Sequence, residues 1–84
     1  MAETLTKEQI EEKVKNVVSE ELEVEQEAIK EDSLFVDDLG ADSLDLTELA
    51  VAFEDQFDIE IPDSDFTQFS TISSVVQYIQ NRLA

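Results

Sequence analysis

The chain carries three helical periods and one weaker candidate between the last two. Ile10, Val14, Val17 and Val18 recur at i, i+4, i+7, i+8, which lines one face of a helix. Thr6-Lys7-Glu8-Gln9 just upstream fits a capping box, with Gln9 at the third helical position, and Leu5 and Ile10 fit a hydrophobic staple. This pattern predicts a first helix opening near Thr6 and ending around Ser19 to Leu22. Leu46, Leu49, Ala50, Phe53 and Phe57 form a second core stripe at i, i+3, i+4, i+7, i+11. It predicts a helix from Asp42 or Ser43 to about Phe57, with Asp42 as N-cap and Asp45 placed well for the helix dipole. Ile72, Val75, Val76, Ile79 and Leu83 repeat the spacing and predict a last helix opening at Ser70 or Thr71. Pro62 breaks the chain between these two. Asp63 is placed to cap a short helix through Phe66 and Phe69.

Between the first two helices lies a long polar connection, about residues 23–41. It holds Ile29, Leu34, Phe35, Val36 and Leu39, too many apolar groups for a free linker. Such a loop is uncommon in a compact domain and often functional. It is expected to wrap the domain and to pin Phe35 and Leu39 into the core. The whole chain, 1–84, reads as one small all-α domain without repeats or internal boundaries.

The second helix has an unusual outer face. Leu44, Glu48, Val51 and Asp55 fall at i, i+4, i+7, i+11, opposite the core stripe. Scattered apolar residues on a surface are normal. Here, however, the stripe begins beside Ser43, at the start of the helix after the turn residue Gly40. Ser43 has no base to activate it, since the chain contains no histidine and no cysteine. An exposed serine so placed is a candidate for modification by another enzyme. The adjoining stripe, with Asp42, Asp45 and Glu54 at its flanks, is a candidate partner-docking face.

Charge sharpens this reading. The chain has 22 acidic and 5 basic residues, a formal net charge of −17. No Lys or Arg occurs between Lys30 and Arg82. Such a field repels nucleic acid and anionic membranes and draws in basic protein surfaces. A hydrophobic content of 42%, arranged periodically, favours a folded domain over acidic disorder. No apolar run approaches a membrane span, and the acidic first twenty residues fit neither a secretory signal nor a transit peptide. The absence of cysteine fits a reducing compartment. A calcium loop is not supported, because neither 32–45 nor 58–65 keeps the required spacing. No metal site is expected. Asp37 and Asp38 read as a solvated pair at the loop end.

Asp38-Leu39-Gly40-Ala41-Asp42-Ser43-Leu44-Asp45 resembles the prosthetic-group attachment motif of the acyl carrier proteins of type II fatty acid synthesis. Phe35 before it, and Glu48-Leu49, Phe57, Ile61-Pro62-Asp63 and Tyr78-Ile79 after it, keep the family's register over about residues 5–83. The resemblance implies a four-helix bundle with a short third helix and a long loop between helices one and two. It implies 4′-phosphopantetheine from coenzyme A on Ser43, attached by a holo-synthase with Mg²⁺, and acyl groups carried as thioesters without catalysis by the carrier. Partners would be the fatty acid synthesis enzymes, met through their basic surfaces by a monomer. The setting would be a bacterial cytoplasm or, after processing, an organellar matrix. An acyl chain would lie among Leu46, Leu49, Ala50, Phe53, Ile61, Phe66 and Phe69. Two positions depart from the family. Thr47 replaces an aliphatic residue on the partner face, and Phe66 replaces a small one beside the cavity. Other readings of the motif are a same-fold carrier for polyketide, aminoacyl or lipid A-type acyl transfer, and an acidic interaction subunit of carrier origin.

Overall fold

The computed structural model describes residues 5–62, 65 and 69–83. Among them are three α-helices, α1 (Lys7–Leu22), α2 (Ser43–Phe57) and α3 (Ile72–Leu83), and a 3₁₀ turn at Gln26–Ala28. No strand occurs among the described residues beyond an isolated antiparallel bridge between Leu34 and Thr71. The fold is thus all-helical. Most of the segment expected to form the short third helix, residues 63, 64 and 66–68, lies outside the described residues. At its edge the Asp65 amide donates to Pro62 O at 2.9 Å.

Each helix begins where its caps dictate. At α1 the Thr6 hydroxyl accepts from the Gln9 amide, and the Gln9 side chain accepts from the Thr6 amide. At α2 Asp42 and Asp45 exchange the same pair of bonds, at 2.8 and 3.1 Å. At α3 Thr71 and Ser74 do so, both at 3.1 Å. A reciprocal cap satisfies two amides that the helix itself leaves open, and an N-cap is worth about 1 kcal/mol. The ends of α1 and α2 also match. Glu23 and Asp58 both take the left-handed conformation at φ 55°, and the chain then folds back on itself.

The predicted stripes form the core. Ile10, Val14, Val17 and Val18 of α1 are buried, as are Leu49, Ala50, Phe53 and Phe57 of α2 and Ile72, Val75, Val76 and Ile79 of α3. Leu46 and Leu83 are half-buried against the same cluster. Helix α1 packs on both α2 and α3, whereas the backbones of α2 and α3 come close at few points.

The connection between α1 and α2 does wrap the domain. Its Ile29, Phe35 and Ala41 are buried, and Leu39 is half-buried against the core. It is tied mainly to α3. The Phe35 amide donates to Ser70 O, the Ile72 amide to Ser33 O and the Ser73 amide to Glu31 O, at 3.1, 3.2 and 2.9 Å. Two of the first amides of α3, which need acceptors from outside the helix, therefore receive them from loop carbonyls. Buried Ser33 turns the chain here by accepting from the Lys30 amide through its hydroxyl at 2.9 Å.

Candidate functional site

The entry to α2 is built by a tight run of backbone bonds. The Asp38 and Leu39 amides both donate to Leu34 O, the Gly40 amide to Val36 O, and the Ala41 amide to Phe35 O. Gly40 closes this turn at φ +73°, where a β-carbon would meet no atom but the backbone itself would be strained. Ala41 is buried next to it. Asp38, expected as half of a solvated pair, has a defined task. Its carboxylate accepts from the Leu34 amide at 2.8 Å and caps the turn. Asp37 stays exposed.

This scaffold delivers Ser43 as the first residue of α2, exposed to solvent. Its carbonyl accepts from the Thr47 hydroxyl at 3.1 Å, so the backbone is held while the side chain faces out. The positive end of the helix dipole lies here, but Asp42 Oδ1 already takes the Asp45 amide. The two flanking carboxylates thus brace the helix start and leave the serine hydroxyl uncovered.

The expected docking stripe is solvent-facing. Leu44 is 66% exposed and Val51 58%, values far outside the core range, and Glu48 and Asp55 are exposed beside them. Val36, on the loop leading to α2, is a further large exposed apolar side chain at 57%. An open groove of about 620 Å³ runs along this face, lined by Thr47, Glu48, Val51, Ala52 and Asp55 of α2 and by Glu21 of α1. Sequence periodicity, which reads one helix at a time, gave no sign of Glu21. Two flanking acids have tasks inside the fold. The Asp45 carboxylate caps α2, and Glu54 Oε2 accepts from the Ile61 amide at 2.8 Å.

Six of the seven residues expected around an acyl chain are buried or half-buried. Leu49, Phe53, Ile61 and Phe69 belong to a single buried cluster with Leu46 packed on it, and Ala50 is buried as well. Phe66 lies outside the described residues. The rim of this cluster is polar. Tyr78 stacks edge-on against Phe69, with ring centroids 5.1 Å apart, and its hydroxyl donates to Asp65 Oδ2 at 2.6 Å. Burial, and then the Asp65 carboxylate, push the Tyr78 hydroxyl above its ordinary 10.0.

The phosphopantetheine attachment site family matches the chain over residues 12–79, which includes the loop, all of α2 and most of α3. The chain belongs to this family. Its domain is a carrier domain, to which 4′-phosphopantetheine is attached covalently. An uncovered hydroxyl at a braced helix start fits such a group, because the attacking oxygen must be reached from outside. Among the described residues no helix is long and apolar enough to cross a membrane.

Proposed function

We propose that the chain is an acyl carrier protein of type II fatty acid synthesis and that Ser43 is its attachment residue. One observation carries the reading. Within a phosphopantetheine attachment domain, Ser43 is exposed at the head of a helix whose outward face joins Leu44 and Val51 to Glu48 and Asp55. The bound arm supplies a terminal thiol able to hold acyl groups as thioesters. The chain's own residues present the hydroxyl, dock the partner and shelter the cargo. The base that removes the serine proton comes from the modifying enzyme, since no histidine or cysteine exists in the chain.

Docking is by charge and a small apolar grip. Basic surfaces of the holo-synthase and of the synthesis enzymes would meet Glu48, Asp55 and the flanking Asp42, Asp45 and Glu54, while Leu44 and Val51 insert. This combination favours fast, weak and reversible association, as a carrier serving many enzymes needs. Residues 63–68 would complete a four-helix bundle, and Phe66 would limit the depth of the acyl cavity. A net charge of −17 supports fatty acid synthesis over the same-fold alternatives and a monomer acting in a soluble compartment.

The test is intact mass after incubation with coenzyme A, Mg²⁺ and a holo-synthase. The wild-type chain should gain one arm, and Ser43→Ala should fold normally and gain none. A Ser43→Ala protein that still gains the arm would overturn the assignment. The mass of protein isolated from its own host names the cargo, and so separates fatty acid from polyketide or aminoacyl use.

A further inference from the structure

The peptide group joining Glu60 to Ile61 is held from both sides. Its N–H donates to Glu54 Oε2 of α2 at 2.8 Å. Its C=O accepts from Arg82 Nη2 of α3 at 2.9 Å. A carboxylate on the N–H and a guanidinium on the C=O polarise the same amide in the same sense, so each bond strengthens the other. The backbones of α2 and α3 come close at few points, although their side chains share one core. This one peptide is therefore a polar tie between them. Arg82 is the only cation after Lys30, and its guanidinium also lies 5.9 Å from the centre of the Tyr78 ring. Directly beneath the tie, the Ile61 side chain is buried in the cluster that holds Leu49, Phe53, Phe69 and Ile79.

We propose that Glu54, the 60–61 peptide and Arg82 form a clasp that closes the seam between α2 and α3, and that its release admits an apolar chain to the interior. The guest would be a saturated acyl chain or another unbranched apolar group, since the side chains clustered with Ile61, among them Leu49, Phe53, Phe69 and Ile79, are hydrocarbon. This rests on the carrier reading for its biological cargo, but the clasp itself does not require the arm. The geometry favours a releasable closure. The Arg82 bond is exposed to solvent and the Glu54 bond only partly buried, so water can replace both partners at low cost. The alternative, an entrance through α1, would break the packing of α1 against both other helices.

The experiment is amide hydrogen exchange on the apo protein, read at Ile61, with Val14 in α1 and Ile79 in α3 as references. Glu54→Ala should speed exchange at Ile61 by at least about tenfold, as protection is lost with the acceptor. Arg82→Met keeps an unbranched apolar side chain but removes the donor. It too should speed exchange at Ile61, several-fold, although Arg82 does not touch that N–H. Arg82→Lys should restore part of the protection. The neutral dye Nile red, which the acidic surface does not repel, should brighten with both removal variants well below their melting temperatures.

An unchanged Ile61 in Arg82→Met would overturn the two-sided clasp. Lost protection without any gain in dye uptake would overturn its role as an entrance. If exchange rises equally at Val14 and Ile79, the variant has loosened globally. Glu54→Gln, which retains an acceptor oxygen and loses only the charge, then decides: exchange at Ile61 slower than in Glu54→Ala supports the clasp, and a rise as large as in Glu54→Ala overturns it. Failure of the wild-type chain to take the arm would sink the carrier reading alone, because neither exchange nor dye uptake uses the arm.

Discussion

Glu23 sits where backbone geometry asks for glycine. It ends α1 at φ 55°, ψ 44°, its amide bonded to Ser19 O. A left-handed residue with a side chain costs roughly 1 kcal/mol, and an acid at the negative end of a helix adds to that. Glu23→Gly should raise the melting temperature by a few degrees, measured by calorimetry. Glu23→Gln separates the two causes: an equal gain there would assign the effect to charge rather than to φ. Tyr78 gives a second residue-scale test. Its hydroxyl is held protonated in the fold above the unfolded value of 10.0, by burial first and by Asp65 second. The unfolded chain therefore ionises first. The stabilisation is complete below about pH 10 and is lost as pH rises through the folded value. Tyr78→Phe should be less stable than wild type at pH 8 and should lose less stability between pH 9 and 11, read by denaturant unfolding.

At the scale of elements, α2 divides its labour by face. Its inner stripe is buried, and its outer stripe is exposed and acidic. Replacing Glu48 and Asp55 by Lys leaves the inner stripe untouched. The double variant should fold normally and take up the arm more slowly, by on the order of tenfold at low salt. Wild-type rates should fall as salt rises, because screening shortens the attraction to about 8 Å at physiological ionic strength. Rates indifferent to both charge reversal and salt would remove electrostatic docking. Glu21, which lines the same groove from α1, should show a weaker version of the effect.

The whole molecule works against its own charge. Eleven acidic residues crowd 37–65 without a basic neighbour in sequence. Among the described residues one ion pair forms, Glu11 with Lys15 at 3.1 Å, and it lies in α1, far from that crowd in sequence. Its contribution is small, as for any partly exposed i, i+4 pair, although Lys15 does hold the Glu11 carboxyl below the ordinary 4.5. A small core must therefore resist long-range repulsion with little local compensation. Sodium and magnesium ions should raise the melting temperature, as should mild acidification toward pH 5. A melting temperature flat across salt, Mg²⁺ and pH 5–8 would show that charge is not the limiting stress.

The sequence by itself determined the three helices, their starts and their buried stripes. Those follow from side-chain period and from caps whose partners lie three residues away, as with Thr6 and Gln9 or Asp42 and Asp45. It also exposed Ser43 and the stripe of Leu44, Glu48, Val51 and Asp55, because a position on a helix start or an outer face is a local property. The left-handed ends at Glu23 and Asp58 gave no such signal, since neither carries the glycine that announces them. Only the tertiary structure decided that the long loop bonds to the start of α3, that Glu21 joins the groove on α2, and that Glu54 and Arg82 meet on one peptide. Glu54 and Arg82 are 28 positions apart (82 minus 54). No period or capping rule links residues so distant. Their meeting depends on how α2 and α3 are set on α1, which is fixed by packing of the whole core rather than by any segment of it.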